Sequence, residues 1–258
     1  MRAALYAAGA ILATLLIWQG VVWAFALPHY ILPAPADVAR AFADNFGEIG
    51  NNALITLTEI VFGLLIGVAA GWLSALLLIQ SKIARAWLLP VLVVSQAVPV
   101  FALAPLLVLW FGYGMASKIV MAALIIYFPV AIATFDGLKR TDPGMLDLAR
   151  MMAGGGRKAE ISILRHIRIP AALPAAASGL RLAVAVAPIG AVIGEWVGAS
   201  AGLGYLMMWA NARMKVPLMF AALIALAALA IALYLLADFL LRRALPWARE
   251  STTDGVER

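Results

Sequence analysis

Apolar residues run almost unbroken through six stretches, residues 4–27, 53–79, 87–111, 119–135, 174–197 and 218–241, and the charged residues gather between them. Runs of about 18 to 25 residues match the length of helix that crosses a hydrocarbon layer ~30 Å thick. A backbone in hydrocarbon must satisfy its own N–H and C=O groups, so only helices and closed barrels can cross. These runs are far longer than barrel strands of about ten residues. The pattern predicts an all-α, polytopic membrane protein with about six transmembrane helices in a single domain, 1–258. The first stretch follows Arg2 and ends near Ala24-Phe25-Ala26, so a cleaved signal peptide competes with it. Its apolar run exceeds a usual signal-peptide core, which favours a retained span.

Composition narrows the class further. Of the 258 residues, 65% are hydrophobic and 12% charged, with mean hydropathy +1.00, against about half and a quarter in soluble domains. Soluble-enzyme and disordered-chain readings are excluded. A net charge of +6 would suit a nucleic-acid binder if the bases shared one face, but they lie in the connections between apolar runs. One alternating set of connections holds Arg2, Lys82, Arg85, Lys139, Arg140, Arg150, Arg157, Lys158, Arg165, Arg168, Arg242, Arg243, Arg249 and Arg258; the other holds Arg40, Lys118, Arg213 and Lys215. The positive-inside rule makes the first set cytoplasmic. Both termini, the long loop 136–173 and the tail 242–258 are then inside, and no nucleic-acid partner is needed to explain the charge.

Reactive chemistry is sparse. Cysteine is absent, and His29 and His166 fall in different compartments, so no thiolate site, zinc site or catalytic triad can form from them. Neither a Gly-x-Ser-x-Gly elbow nor His-Glu-x-x-His occurs. No catalytic residue, metal or cofactor is expected. The inner loop is the strongest local feature: Asp147-Leu148-Ala149, then Gly154-Gly155-Gly156, then Ile161, Ile163, Leu164, Ile167 and Ile169 read as helix, turn, helix, with Pro170 and Pro174 closing it. Docking of a partner and contact with anionic headgroups both fit such a loop. Gly154-Gly155-Gly156-Arg157-Lys158 lacks the spacing of a Walker A phosphate loop. If ATP is used, another subunit binds it.

Within the spans, Gly63, Gly67 and Gly71, and again Gly190, Gly194 and Gly198, form small-residue ladders that let backbones approach closely. The ladders fit either static packing or faces that slide during transport. The third span carries Pro90, Pro99 and Pro105, each expected to kink it, beside Ser95 and Gln96, and so suits a translocation path. Glu59 and Glu195 are expected near the outer face and Asp238 near the inner one, where interfacial water would solvate them; Arg181 lies two turns into the fifth span. Outside, Pro33 and Pro35 precede a short helix around Val38, and 198–217 begins glycine-rich and turns amphipathic. Most tryptophans fall near span ends, as interfacial anchors do.

Several segments together resemble the inner-membrane permease subunits of binding-protein-dependent ABC importers of the nitrate, sulfonate and taurine branch. They are Ile31-Leu32-Pro33-x-Pro35, Ala102-Leu103-Ala104-Pro105-Leu106, and Trp110-Phe111-Gly112-x-Gly114-x-x-Ser117-Lys118. The inner loop is similar to the family's Glu-Ala-Ala coupling element: Asp147-Leu148-Ala149 stands for Glu-Ala-Ala and Ile167-Arg168-Ile169-Pro170 for its end. Ala153 replaces the usual glycine, and Pro170 comes about four residues late. The run from Pro188 through Gly198, with Gly202-Leu203-Gly204-Tyr205 and Asn211-Ala212-Arg213-Met214, looks most like permeases for the pyrimidine precursor of thiamine.

The resemblance implies a type I ABC importer permease fold in the bacterial cytoplasmic (inner) membrane, with a second copy of the chain, a cytoplasmic ABC ATPase dimer, an outer binding protein and the lipid bilayer as partners. It assigns coupling to Asp147, Ala149, Gly154, Gly155, Gly156 and Pro170. Gln96, Glu195 and Asn211 are the candidates for the substrate pathway or its gate, and a substrate ring could stack on Trp196 or Tyr205. Import of sulfonate, taurine or nitrate is the alternative to a thiamine precursor. A secondary transporter would need related halves and a midplane acid, and a membrane scaffold would leave the proline-rich third span unexplained.

Overall fold

The computed structural model describes residues 2–95 and 98–247, and the regular structure among them is helical. Gln96 and the tail beyond residue 247 lie outside the described residues. The long helices are α1 (Arg2–Ala24), α3 (Phe46–Gln80), α6 (Met115–Lys139), α9 (Ile169–Gly198) and α11 (Val216–Ala244). Between them come α2 (Pro35–Asp44), α4 (Lys82–Ser95), a 3-10 turn (Val100–Leu103), α5 (Ala104–Phe111), α7 (Pro143–Ala153), α8 (Arg157–Ile163), a π turn (Leu164–Arg168) and α10 (Leu203–Ala212). Among the described residues, four helical rods are long and apolar enough to cross a membrane: α3, α6, α11 and the rod Arg157–Gly198 that ends in α9. The pair α4 and Val100–Phe111 makes a fifth crossing if counted together, and α1 covers the first predicted stretch.

The core is a stack of three helices with α6 in the middle. In lipid, apolar side chains gain little by leaving the solvent, so helices associate where small residues allow close van der Waals contact. On one side of α6, a Cβ added at Gly63, Gly67 or Gly71 of α3 would lie only 2.6 Å from Ala122 Cβ, 2.7 Å from the Ala123 carbonyl oxygen or 2.9 Å from Val130 Cγ1. On the other side, a Cβ at Gly190 of α9 would lie 2.8 Å from Ala122 Cα, and one at Gly179 would lie 2.8 Å from the Pro129 oxygen. Ala122 is therefore gripped by a glycine from each flank. Around it Ile60, Ile126, Val130, Ala183, Ala187 and Ala191 are completely buried. The glycine ladders are packing faces.

Three expectations change. The third stretch is not one kinked span: α4 and the Val100–Phe111 segment differ in direction by 96°. Only Pro90 lies inside a helix; Pro99 precedes the 3-10 turn and Pro105 stands in the first turn of α5, where a missing N–H costs nothing. Pro170 and Pro174 do not close the inner loop either, because α8, the π turn and α9 continue as one rod from Arg157 to Gly198. Pro170 has no N–H and crowds the carbonyl four residues earlier. The π turn just before it, with the Ile169 N–H donating to the Leu164 oxygen, opens the helix where that crowding falls. Helices also outrun the apolar stretches: α3 begins at Phe46 and α6 at Met115, since hydropathy marks only the part in hydrocarbon.

Gly67→Leu is expected to overpack the α3–α6 contact by roughly 1–3 kcal/mol and to lower the detergent melting temperature of the purified protein. Gly50→Ala, where nothing lies within 4 Å, should leave it unchanged. Equal melting of both variants with the parent would contradict the stack.

Candidate functional site: a glycine corner and a buried polar cluster

The glycine corner is built by α7 and α8. Asp142 caps α7, its Oδ1 accepting from the Met145 N–H at 2.9 Å, and Pro143 occupies the first turn. The helix ends because Gly154 adopts φ +73°, and Gly155 and Gly156 follow at +78° and +85°. No neighbour lies within 4 Å of where their Cβ atoms would be, so these positions require glycine for backbone conformation rather than for space. Arg150 clamps the corner: its guanidinium donates to Asp147 Oδ1 at 3.1 Å and to Glu160 Oε1 at 3.0 Å. These partners raise the Arg150 pKa above its ordinary value, with Glu160 the larger influence. Met145, Leu148, Met151 and Met152 of α7 stand exposed, the last two 82% and 81%. Charged groups clamp the corner while methionines and a leucine face outward, a pliable apolar surface suited to another protein.

Of the coupling candidates, Asp147 and Ala149 lie on α7 and Gly154 to Gly156 form the turn after it. Pro170 does not join them; it sits in the first turn of α9, beyond α8 and the π turn.

The polar cluster is assembled by α3, α6, α9 and α10. Glu195, in the last turns of α9, is completely buried. Its Oε1 accepts from the Thr56 hydroxyl at 2.6 Å, and its Oε2 accepts from the backbone N–H groups of Gly204 and Tyr205. The Thr56 oxygen in turn accepts from the Leu203 N–H at 2.9 Å, and Asn52 Oδ1 accepts from the Gly202 N–H at 2.7 Å. Four successive amides at the start of α10, from Gly202 to Tyr205, are thus satisfied by three side chains from other helices. These are the donors a helix leaves without internal partners, and a carboxylate there also meets the positive end of the helix dipole. Gly202 has φ +116°, and a Cβ on it would run into the Glu195 carboxylate.

Beside Glu195, Glu59 of α3 is also fully buried, and Lys118 Nζ of α6 approaches its Oε1 to 3.3 Å. This overturns two expectations. The acids are enclosed by protein and not hydrated at an interface, and Lys118 is a buried helix residue rather than part of an outer connection. The third intramembrane acid, Asp238, bridges α11 to Arg181 of α9 at 2.8 Å and also accepts from Arg242 at 2.8 Å. Asn211 is exposed near the far end of α10 from Glu195, so those two pathway candidates are not brought together. Thr56, Asn52 and Lys118 escaped sequence reasoning. A basic and an acidic residue inside consecutive core helices was the available signal for Lys118 with Glu59, whereas a threonine in a span carries none.

The model of the binding-protein-dependent transport system inner membrane component family matches residues 63–250. The chain belongs to that family. The permease is 56% identical over 229 residues to a probable ABC transporter permease protein of Haemophilus influenzae, covering 89% of this chain and 92% of the relative. It is 36% identical over 235 residues to the riboflavin transport system permease protein of Chloroflexus aurantiacus, covering 90% of this chain and 86% of the relative. Against the formylaminopyrimidine transport permease protein of Halalkalibacterium halodurans it is 35% identical over 222 residues, covering 86% and 87%. Its fold matches the inward-facing MetNI methionine ABC transporter with a TM-score of 0.57 at 20% identity, over 77% of this chain and 94% of that one. The fold is that of a type I ABC importer permease. The chain is an inner-membrane transport component, not a catalytic subunit.

Thr56→Val removes the hydroxyl that links the Leu203 amide to Glu195, leaving a buried donor unpaired at about 1–3 kcal/mol. Amides 202–205 of the permease should then exchange with deuterium faster while those of α6 stay protected, and Thr56→Ser should restore the slow rate. Unchanged exchange in Thr56→Val would remove the assigned role.

Proposed function

We propose that the permease forms the substrate pathway of an ATP-driven importer, paired with a second copy of itself, powered by a cytoplasmic ABC ATPase dimer and loaded by an outer binding protein. The observation that carries this reading is the α7–α8 corner. Its apolar residues are exposed, its turn consists of three left-handed glycines, and its charged residues lock it into one shape. The chain has no nucleotide motif of its own, so hydrolysis belongs to the protein that binds this corner. Asp147, Ala149 and Gly154 to Gly156 transmit its closure. Pro170 acts further along, beside the π turn through which α8 continues into α9.

The orientation that fits is with both termini and the corner in the cytoplasm, supported by the basic residues shared by α7, α8, the π turn and the end of α11. Gln96, Glu195 and Asn211 are proposed to bear on the pathway in different ways. Gln96 follows Ser95 in the sequence of the proline-rich third stretch. Glu195 acts indirectly, by holding α10, and Asn211 offers an exposed polar group at the outer end.

For the substrate, we infer a small planar heteroaromatic compound, with the pyrimidine precursor of thiamine first. The Asn211-Ala212-Arg213 extension and the formylaminopyrimidine permease relative support it, and the half-exposed Trp196 offers a stacking face. Riboflavin is the second reading, favoured by the similarity to a riboflavin permease, and sulfonates the third.

Deleting residues 147–156, or reversing the charge of Asp147 together with Glu160, should abolish uptake and substrate-stimulated ATP hydrolysis by the assembled transporter in proteoliposomes while membrane insertion persists. Normal uptake would defeat the coupling assignment. With the binding protein present, hydroxymethylpyrimidine should be taken up and compete with formylaminopyrimidine. Uptake of riboflavin or an alkanesulfonate alone would replace the substrate assignment without touching the importer reading.

A further inference from the structure

The polar cluster holds more carboxylates than cations. Its ionisable members among the described residues are Glu59 from α3, Lys118 from α6 and Glu195 from α9; α10 contributes backbone amides only. With both acids ionised, the cluster would carry a net negative charge with no access to water, and two carboxylates in direct contact cannot both stay charged at low cost. The two glutamates are neighbours: Thr56, one turn before Glu59 on α3, reaches Glu195 Oε1 at 2.6 Å.

The hydrogen-bond directions decide where a proton sits. Every partner of Glu195 is a donor: Thr56 serves Oε1, and Gly204 and Tyr205 serve Oε2. The Thr56 hydroxyl, whose oxygen accepts from Leu203, has a second acceptor in the Asn52 carbonyl at 3.2 Å, but Glu195 Oε1 is the nearer at 2.6 Å. Glu195 is therefore the anion. Glu59 is the opposite case: both of its oxygens are buried without a hydrogen-bond partner, and Lys118 lies near but misaligned at 3.3 Å. A buried oxygen pair without donors is satisfied when the group itself becomes one.

We propose that Glu59 is a neutral carboxylic acid that donates its proton to the Glu195 carboxylate, so that the two glutamates bind one proton between them and Lys118 balances the remaining charge. Lys118 and Glu195 then cancel, and Glu195 stays an acceptor for the start of α10. Glu59 is a positioning residue in this arrangement: it orients Glu195, which orients α10.

The test is infrared spectroscopy of the assembled transporter at neutral pH, comparing the parent with Glu59→Gln. The parent should show a protonated side-chain carboxyl band that shifts in D2O and is lost in Glu59→Gln. Carbon-13 glutamate placed in this chain alone should move the same band, which tests the proposal even if the variant fails to assemble. Glu59→Gln mimics the neutral acid and should keep uptake within about twofold, whereas Glu195→Gln turns an amide N–H2 towards backbone donors and should cost at least roughly tenfold. Absence of a carboxyl band from the parent, or its persistence in Glu59→Gln, would overturn the proposal. So would a loss of uptake in Glu59→Gln as deep as in Glu195→Gln.

Discussion

Everything else in this fold hangs on how closely α3 and α9 approach α6. Between helices in hydrocarbon the association energy is mostly contact, and contact decays within a fraction of an ångström. Gly63 of α3 and Gly190 of α9 both meet Ala122, so these two helices are set at nearly the smallest distance from α6 that backbones allow. The polar cluster follows from this spacing. Glu59 lies one turn before Gly63, Lys118 one turn before Ala122, and Glu195 little more than one turn after Gly190. Helices spaced by leucines would move these side chains apart and open the cluster.

The cluster in turn makes α10 possible. A ten-residue helix is marginal by itself, because its unpaired terminal amides weigh heavily against few internal bonds. Here side chains of α3 and α9 replace the missing partners, and Leu203, Leu206 and Ala210 pack with Val38 of α2 and Leu218, Ala221 and Ala222 of α11. Polar pairing fixes one end of the short helix, and apolar burial fixes its flank.

Length and hydropathy were legible in the sequence: helices in place of strands, the long loop between the fourth and fifth stretches, the short helix after Pro33-Ala34-Pro35 and the small-residue faces of both glycine ladders. Local chemistry at chain breaks was less so. Pro90, Pro99 and Pro105 look alike in sequence, yet only Pro90 interrupts a helix. A proline marks either a kink or a start, and which one depends on neighbours elsewhere in the fold. The departure of Pro170 from the family spacing was visible; its accommodation by a π turn was not, since no composition distinguishes α from π winding. Glu195 stood out as an intramembrane acid, but its side-chain donor is Thr56, 139 positions away. Pairing across that separation is set by tertiary packing alone.

The first helix stands apart from this logic. Its described connections to the rest of the chain are few: it runs on towards α2, and Trp18 tilts against Phe220 of α11 with ring centroids 5.7 Å apart while donating to the Pro33 oxygen at 3.0 Å. The family match begins only at Gly63. A helix pinned by one tryptophan needs little from its other positions beyond solubility in lipid. An added methyl group on the α6-facing side of α3, by contrast, meets α6 at less than van der Waals distance.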